Sequence, residues 1–503
     1  LSTPNTQLLK AVIVGAGIGG IASAIRLANL GFKVSVYESN AFVGGKLSEF
    51  EQDGFRFDAG PSLFTMPFLV EELFWLSGKK PADYFKYIKL EETCRYFYDD
   101  GLELTGWCDQ ERFVREIVQK FGEDGKKVWR YLHQSAKKYE VTGGLFLDRS
   151  LHDWRTWVNA SAFKAYLQIP RLGIFKTMHE ENAQAFSDSR LIQLFDRFAT
   201  YNGSSPYLTP GLLTMIPHLE HGIGAFFPLN GMYSITQSLV RLANDLGVEF
   251  ICNTPVNHIV TSGNKVSGIK LLNDEIIHAD VVISNADVTA TYRKLLPGLK
   301  APEKILSQPK SSSALIFYWG INRTFDQLGL HNIFFSKDYH KEFEHIFNYK
   351  TVSQDPTVYI NITSKYKPDD APTGCENWFT MINVPNNSGQ NWQEIISQSR
   401  KNIINKLSKR LQVNIGEHIV CERILDPILI ESRTSSSQGA LYGNSSNNRY
   451  AAFFRHANFH SKIKGLYFCG GSVHPGGGIP LALKSANIVA DYVRRDYKKH
   501  LIK

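Results

Sequence analysis

The spacing of apolar positions changes along this chain, and each change marks an element. Residues 12–14 form a short β-branched run of the kind that makes a buried parallel strand. Gly15, Gly17 and Gly20 follow it. Ile21, Ala24, Ile25 and Ala28 then recur at helical spacing until Gly31, and residues 33–37 read as a second strand. Residues 95–107 pattern as a hairpin turning at Asp100-Gly101, and residues 110–230 as mostly helix and loop. A helix is expected through Leu246, a strand at 247–251, and a strand–turn–strand unit at 256–260 and 266–272. A short apolar strand at 279–286 runs into a polar turn. From 300 to 425 the pattern becomes antiparallel, with strands at 313–319, 358–363 and 378–384 and a helix at 392–411. The chain closes with a buried strand at 466–469, a Gly470-Gly471 turn, a glycine loop at 476–480 and a helix at 481–494.

Strands alternating with helices at both ends, around an antiparallel middle, predict an α/β chain of interleaved domains. At 503 residues it exceeds what one core usually covers, so two or more subdomains are expected. Hydrophobic residues make up 43% and aromatics 12%, enough for large cores and some apolar surface. The net charge of +8 is spread without a long basic tract, which argues against nucleic acid and suits an anionic membrane face. Cys94, Cys108, Cys252, Cys375, Cys421 and Cys469 form no CxxC pair, so reduced thiols in a cytoplasmic protein are expected. No run of 18 apolar residues predicts a membrane span, and the polar lead before residue 11 lacks a secretory core.

The first glycine turn carries the clearest chemistry. Gly15 permits the tight turn, Gly17 lets a pyrophosphate approach the backbone, and Gly20 lets the helix pack close to the sheet. That helix, opening near Ile18, points unpaired N–H groups at phosphates. Glu38 ends the second strand about 20 residues later, where an acid binds ribose hydroxyls and disfavours a 2′-phosphate. Gly44-Gly45-Lys46 is a second glycine turn ending in a cation, and residues 57–62 bring the chain back toward the same crevice.

At this point the chain resembles the two-dinucleotide-domain flavoproteins, which include amine oxidases, protoporphyrinogen oxidase and carotenoid desaturases. The closing string, with His474-Pro475-Gly476-Gly477-Gly478-Ile479-Pro480, is similar to the signature of bacterial phytoene-type carotenoid desaturases. The resemblance runs over essentially the whole length and looks closest to hydroxycarotenoid 3,4-desaturases. It implies a Rossmann-like FAD domain at 8–75, 228–290 and 464–503. A mixed-sheet substrate domain would span 90–108 and 291–463, and a helical, membrane-associating subdomain 109–227. It also implies FAD contacts at Gly15, Gly17, Ile18, Gly20, Glu38, Gly45, Lys46 and Ser62. The same holds for Val256 (through its backbone), Asn285, Gly470, Gly471, Gly478, Ile479 and Pro480.

The implied reaction removes two hydrogens from a saturated carbon pair beside a polyene, with flavin N5 taking hydride. Phytoene or diapophytoene desaturation is the alternative within the enzyme class. Amine oxidation and non-redox escort of prenylated proteins are alternatives on the same architecture. No metal-ligand cluster is present. His474 is a weak catalytic candidate, equally readable as a histidine held by backbone, and Asp148-Arg149 is either a tunnel lining or a solvated pair. Cys469 reads as a packed thiol. Residues 154–176 interleave aromatic and cationic side chains, as suits a segment dipping into a headgroup boundary. Lacking a second GxGxxG for a nicotinamide, the flavin would be reoxidised by a membrane quinone or oxygen.

Overall fold

A computed structural model describes residues 8–158 and 172–500. Three distant stretches of chain build one five-stranded parallel sheet, in the order Leu466–Phe468, Val281–Ser284, Lys10–Val14, Lys33–Tyr37 and Glu249–Ile251. Ala11 to Val14 are buried, as a central parallel strand covered on both faces requires. Helix Ile18–Asn29 lies on this sheet and packs against the closing helix Ile479–Asp496. The closing helix starts two residues earlier than its apolar period suggests, because Pro480 fits the first helical turn, where no N–H is needed. Beyond the Glu249–Ile251 edge, Val256–Ser262, Lys265–Leu271 and Ile276–His278 form a small antiparallel sheet.

The second large sheet has seven strands, in the order Ile419–Leu425, Ser313–Ile321, Glu376–Val384, Val358–Ile362, His331–Phe334, Glu92–Phe97 and Glu103–Trp107. It is antiparallel except where His331–Phe334 runs parallel to Glu92–Phe97. Its two faces follow the period of two along each strand. Leu315, Phe317, Trp319 and Ile321 pack with Trp378 and with Ile403 and Leu407 of helix Trp392–Leu411. The alternate residues Ile316 and Tyr318 pack with Phe379, Phe55 and Phe57 on the opposite face. That opposite face is turned toward the strand Phe55–Asp58 and the loop after it, and Tyr318 Oη donates to the Ala59 carbonyl at 2.9 Å.

A buried ion network joins the two sheets. Arg56 donates to Asp58 Oδ1 at 2.9 Å, to Asp370 Oδ2 at 3.1 Å and to Glu49. Asp58 in turn accepts from the backbone N–H groups of Met232 and Tyr233, at 2.9 and 3.1 Å, at the start of helix Tyr233–Asp245. Asp370 belongs to the connection between two strands of the seven-stranded sheet, so one guanidinium ties that sheet to the Phe55–Asp58 strand and, through Asp58, to the start of helix Tyr233–Asp245.

Helices Gln110–Phe121, Gly125–Thr142, Met178–Ala185 and Ser189–Asp196 pack over the Glu92–Phe97 and Glu103–Trp107 edge. Asp109, Asp124 and Asp188 cap three of them, and Thr177 with Glu180 forms a capping box on the fourth. Of the aromatic and cationic stretch 154–176, residues 159–171 lie outside the described residues. Among the described residues no helix is long and apolar enough to cross a membrane.

Candidate functional site

The C-terminal ends of the parallel strands converge on a crevice, where ligands of open α/β sheets bind. Helix Ile18–Asn29 begins there with Gly17 as its N-cap, without a capping side chain and without an acid in its first turn. Its first N–H groups and positive dipole end are open to an anion. The second glycine turn lies on the first: Gly44 N donates to the Ala16 carbonyl at 2.8 Å, and a Cβ on Gly45 would stand 3.3 Å from Gly17 Cα. Glu38 is buried at the end of the second strand. Its Oε2 accepts from Ala16 N at 2.8 Å, and its Oε1 is held by the backbone and side chain of Asn40 at 2.9 and 2.8 Å. Oε2 thereby keeps a lone pair for a hydroxyl. Thr254 N bonds to the Glu38 carbonyl at 2.8 Å, which brings Val256 beside the acid.

Asn285 sits between the two ends of the chain. Its Nδ2 donates to the Gly15 carbonyl at 3.3 Å, and its Oδ1 lies 3.5 Å from Cys469 Sγ. It spaces the first glycine turn from the Gly470-Gly471 turn. Cys469 is buried, and desolvation pushes its thiol up to about 12, so it is inert packing. The closing helix opens on Gly478, Ile479 and Pro480, again without a capping side chain. A second bare helix terminus therefore faces the crevice.

Three cations surround the segment 440–445. Lys46 Nζ donates to the carbonyls of Ala440 and Leu441 at 3.3 and 2.8 Å, and desolvation pushes it down to about 8 while Asp287 pulls it up. Arg455 is buried beside Gly476 and donates to the Tyr442 and Asn444 carbonyls at 3.1 and 2.9 Å. Burial brings it down to about 10. Lys310 is buried against Asn444 Oδ1 at 2.9 Å. Their combined charge gives this end of the crevice a positive potential. Lys46 thus spends hydrogen bonds on main chain 394 and 395 positions away, in addition to whatever it offers a cofactor.

Ser62 follows the Phe55–Asp58 strand. Gly60, two residues before it, lies so close to the Lys46 carbonyl that a side chain there would collide with it. Ser62 Oγ is 2.8 Å from Tyr359 Oη on the seven-stranded sheet, so Ser62 marks where the loop after that strand meets the sheet. His474 is buried, with Nε2 2.8 Å from the Arg149 carbonyl. Desolvation, opposed by that bond, depresses it to about 3. It is neutral at ordinary pH and a feeble base. Replacing it by Asn should leave the shape of the kcat/KM profile between about pH 5 and 8 unchanged, because a group with so low a pKa has no limb there; a lost limb would restore it as the base. Asp148 pairs with Lys484.

Arg455, Lys310, Tyr359 and His331 are not among the residues read from the sequence. Asn458 is another, donating to the Phe468 and His474 carbonyls at 3.3 and 2.8 Å and so bracing the closing motif. The polar Tyr359 and Asn361 at alternate positions of an apolar strand are the one signal that pointed to any of them.

Two bare helix termini, paired glycine turns and a buried acid at the end of the second strand fit a flavin dinucleotide. The family model described as flavin containing amine oxidoreductase matches residues 18–494, and the chain belongs to that family. It is an oxidoreductase whose cofactor is FAD. Over 485 residues it is 52% identical to the 1-hydroxycarotenoid 3,4-desaturase of Flavobacterium sp. (strain P99-3), covering 96% of this chain and 99% of that one. It is 32% identical to the 4,4'-diapolycopene oxygenase of Methylomonas sp, covering 97% and 98% of the two chains, respectively. It is 30% identical to the phytoene desaturase of Fusarium fujikuroi, covering 96% and 89%. Among solved structures, the cyclohexylamine oxidase of Brevibacterium oxydans superposes with a TM-score of 0.61 at 14% identity, covering 98% of this chain and all of that one. At that identity the likeness concerns the fold.

Proposed function

We propose that this protein is an FAD-dependent carotenoid desaturase that introduces the C3=C4 double bond into a carotenoid bearing a hydroxyl at C1. The observation that carries the reading is the 52% identity, over nearly the full length of both chains, to an enzyme of that name. Bound FAD supplies an N5 that accepts hydride. C3 and C4 each lose one hydrogen, one as hydride and one as a proton. The sheet face made by Ile316, Phe379 and Met381 offers the polyene a dry, apolar floor. The cations Lys46, Lys310 and Arg455 favour negative charge at the cofactor's end of the crevice. FAD contacts at the glycine turns, Ile18, Glu38, Lys46, Val256, Asn285 and residues 470–480 are part of this proposal; Ser62, at the margin of these contacts, is assigned to the substrate.

The substrate reaches the site from lipid. Trp154, Val158 and Phe175 are 68%, 72% and 75% exposed. Phe146, Trp157 and the exposed Phe453 stack nearby, with Trp157 and Phe453 centroids 5.7 Å apart. We assign this surface to the headgroup boundary, and reoxidation to a membrane quinone or oxygen. Flotation with anionic liposomes should carry the protein upward, and a Trp154→Ser, Phe175→Ser double variant should leave at least about half of the bound fraction behind. Equal flotation of the two would remove the assignment.

The functional test is a panel of carotenes in liposomes. C1-hydroxylated carotene should yield a red-shifted product two hydrogens lighter, and phytoene should be left unchanged. Conversion of phytoene alone would favour the phytoene-desaturase alternative. Oxygen-bearing products would favour chemistry like that named for the Methylomonas relative.

A further inference from the structure

The polar chain that joins the crevice to the substrate sheet has a fixed direction. In strand Val358–Ile362, Tyr359 and Asn361 share a face, and His331 is registered opposite Asn361. Asn361 Nδ2 lies 3.1 Å from the Leu330 carbonyl and 3.2 Å from His331 Nδ1. A carbonyl only accepts, so the amide nitrogen is on that side, and the tautomer of His331 that suits an N–H neighbour leaves Nδ1 unprotonated. Tyr359 Oη, nearer at 2.7 Å, takes the single lone pair of that Nδ1 and donates its proton to it, with Asn361 Nδ2 bonded chiefly to the Leu330 carbonyl. The Ser62 hydroxyl, 2.8 Å from Tyr359 Oη, then donates in turn. The order of donation is Ser62 to Tyr359 to His331, which leaves the Ser62 Oγ lone pairs able to accept.

His331 and Asn361 are 4% and 2% exposed, and His331 Nε2 has no hydrogen-bond partner. Desolvation, helped by Arg197, depresses the imidazole to about 3, which keeps it neutral and the donor order intact. The same sheet face carries Ile316, Phe379 and Met381, together with Tyr318 and Asn377, whose polar atoms bond to the Ala59 and Arg56 carbonyls. Those two are satisfied by main chain, whereas the polar chain ends at the partly exposed Ser62, the member left open to a polar atom of a ligand.

We infer that Ser62 Oγ accepts the hydrogen bond of the substrate's chain-end hydroxyl, with Tyr359, His331 and Asn361 holding it in the accepting orientation. The inference rests on the reading that the hydroxyl is on C1 and the hydrogens leave C3 and C4. The oxygen is three bonds from C3, about 4 Å in an extended chain. The reacting carbon must come within about 3.5 Å of the flavin. The hydroxyl is therefore confined to the wall beside the cofactor, where Ser62 stands, and cannot be recognised at the far end of a tunnel. A plain carotene would leave the Ser62 acceptor without a donor, so the same contact discriminates against it.

The test compares FAD-loaded wild type, Ser62→Ala and Tyr359→Phe. The substrates are a carotene with a C1 hydroxyl and the same carotene without it. Binding is read as tryptophan-fluorescence quenching of the reduced enzyme, which does not turn over, and turnover as kcat/KM. Ser62→Ala should weaken Kd and kcat/KM for the hydroxylated carotene by about 10- to 100-fold, and change those for the plain carotene by less than about threefold. Tyr359→Phe, which releases the Ser62 proton, should move the ratio the same way with flavin absorbance intact. Equal losses on both carotenes, or lost FAD retention with an unchanged ratio, would overturn the inference. Wild type inactive on the hydroxylated carotene would overturn the functional reading instead, and the Kd comparison would still read Ser62.

Discussion

A Gly20→Val variant is expected to purify without flavin. The Gly20 α-carbon faces the Gly15 carbonyl, and any Cβ there runs into that oxygen while also coming within 3.2 Å of Asn285 Nδ2. The turn cannot yield on one side only, because the Asn285 side chain is already bonded to the Gly15 carbonyl and sits against Cys469. A β-branched side chain must therefore push helix Ile18–Asn29 away from the sheet, carrying its bare N-terminus away from the phosphate position. Phosphate recognition at a helix terminus falls off within the first turn. FAD affinity should drop by at least about 100-fold, equivalent to about 2.7 kcal/mol. The ratio of visible flavin absorbance to protein absorbance, before and after added FAD, reads this directly. A variant holding one FAD per chain would show that this turn does not bind the dinucleotide.

Arg56→Ala is expected to cost about 3–5 kcal/mol of stability, because it leaves the buried Asp58 carboxylate without its cation. Asp58 and Asp370 have side chains 2% and 0% exposed, and the guanidinium lies within hydrogen-bond distance of both. Asp370 keeps the Lys367 ammonium at 2.7 Å and the Thr363 hydroxyl, whereas Asp58 keeps only its bonds to Met232 N and Tyr233 N, so the uncompensated charge falls more heavily on Asp58. Such a loss is a large share of the marginal stability of a folded protein. Urea unfolding followed by circular dichroism measures it, and Asp58→Asn in the Arg56→Ala background should recover part of it. A loss under about 1 kcal/mol would mean that the network behaves like a solvated surface pair.

Both sets of contacts show where the sequence was readable. The turns at Gly15–Gly20 and Gly44–Lys46 could be recognised because glycine is demanded by backbone geometry that is local to a few residues. Glu38 was visible for the same reason, as a fixed offset from a turn. The role of Asn285 as a spacer was not, since it depends on Cys469, 184 positions away, arriving on the neighbouring strand. Lys46 could be placed at the crevice, but its carbonyl partners belong to a segment nearly 400 residues further on. Lys310 and Arg455 carry no motif at all: a buried cation satisfied by main-chain oxygens has no signature in one sequence.

In the seven-stranded sheet the strands expected at 313–319, 358–363 and 378–384 stand at Ser313–Ile321, Val358–Ile362 and Glu376–Val384. Strand order was not announced. The parallel pairing of His331–Phe334 with Glu92–Phe97 brings together segments more than 230 residues apart, and it is this pairing that completes the sheet beside His331. Short apolar runs marked the strands, and long-range packing decided which face met the Phe55–Asp58 strand.

The account is tested most directly by a single turnover without oxygen. FAD-loaded protein mixed with C1-hydroxylated carotene should lose its oxidised-flavin absorbance and yield one product molecule, two hydrogens lighter and unsaturated at C3–C4, per flavin. Flavin that stays oxidised while the hydroxylated carotene is recovered unchanged would contradict it.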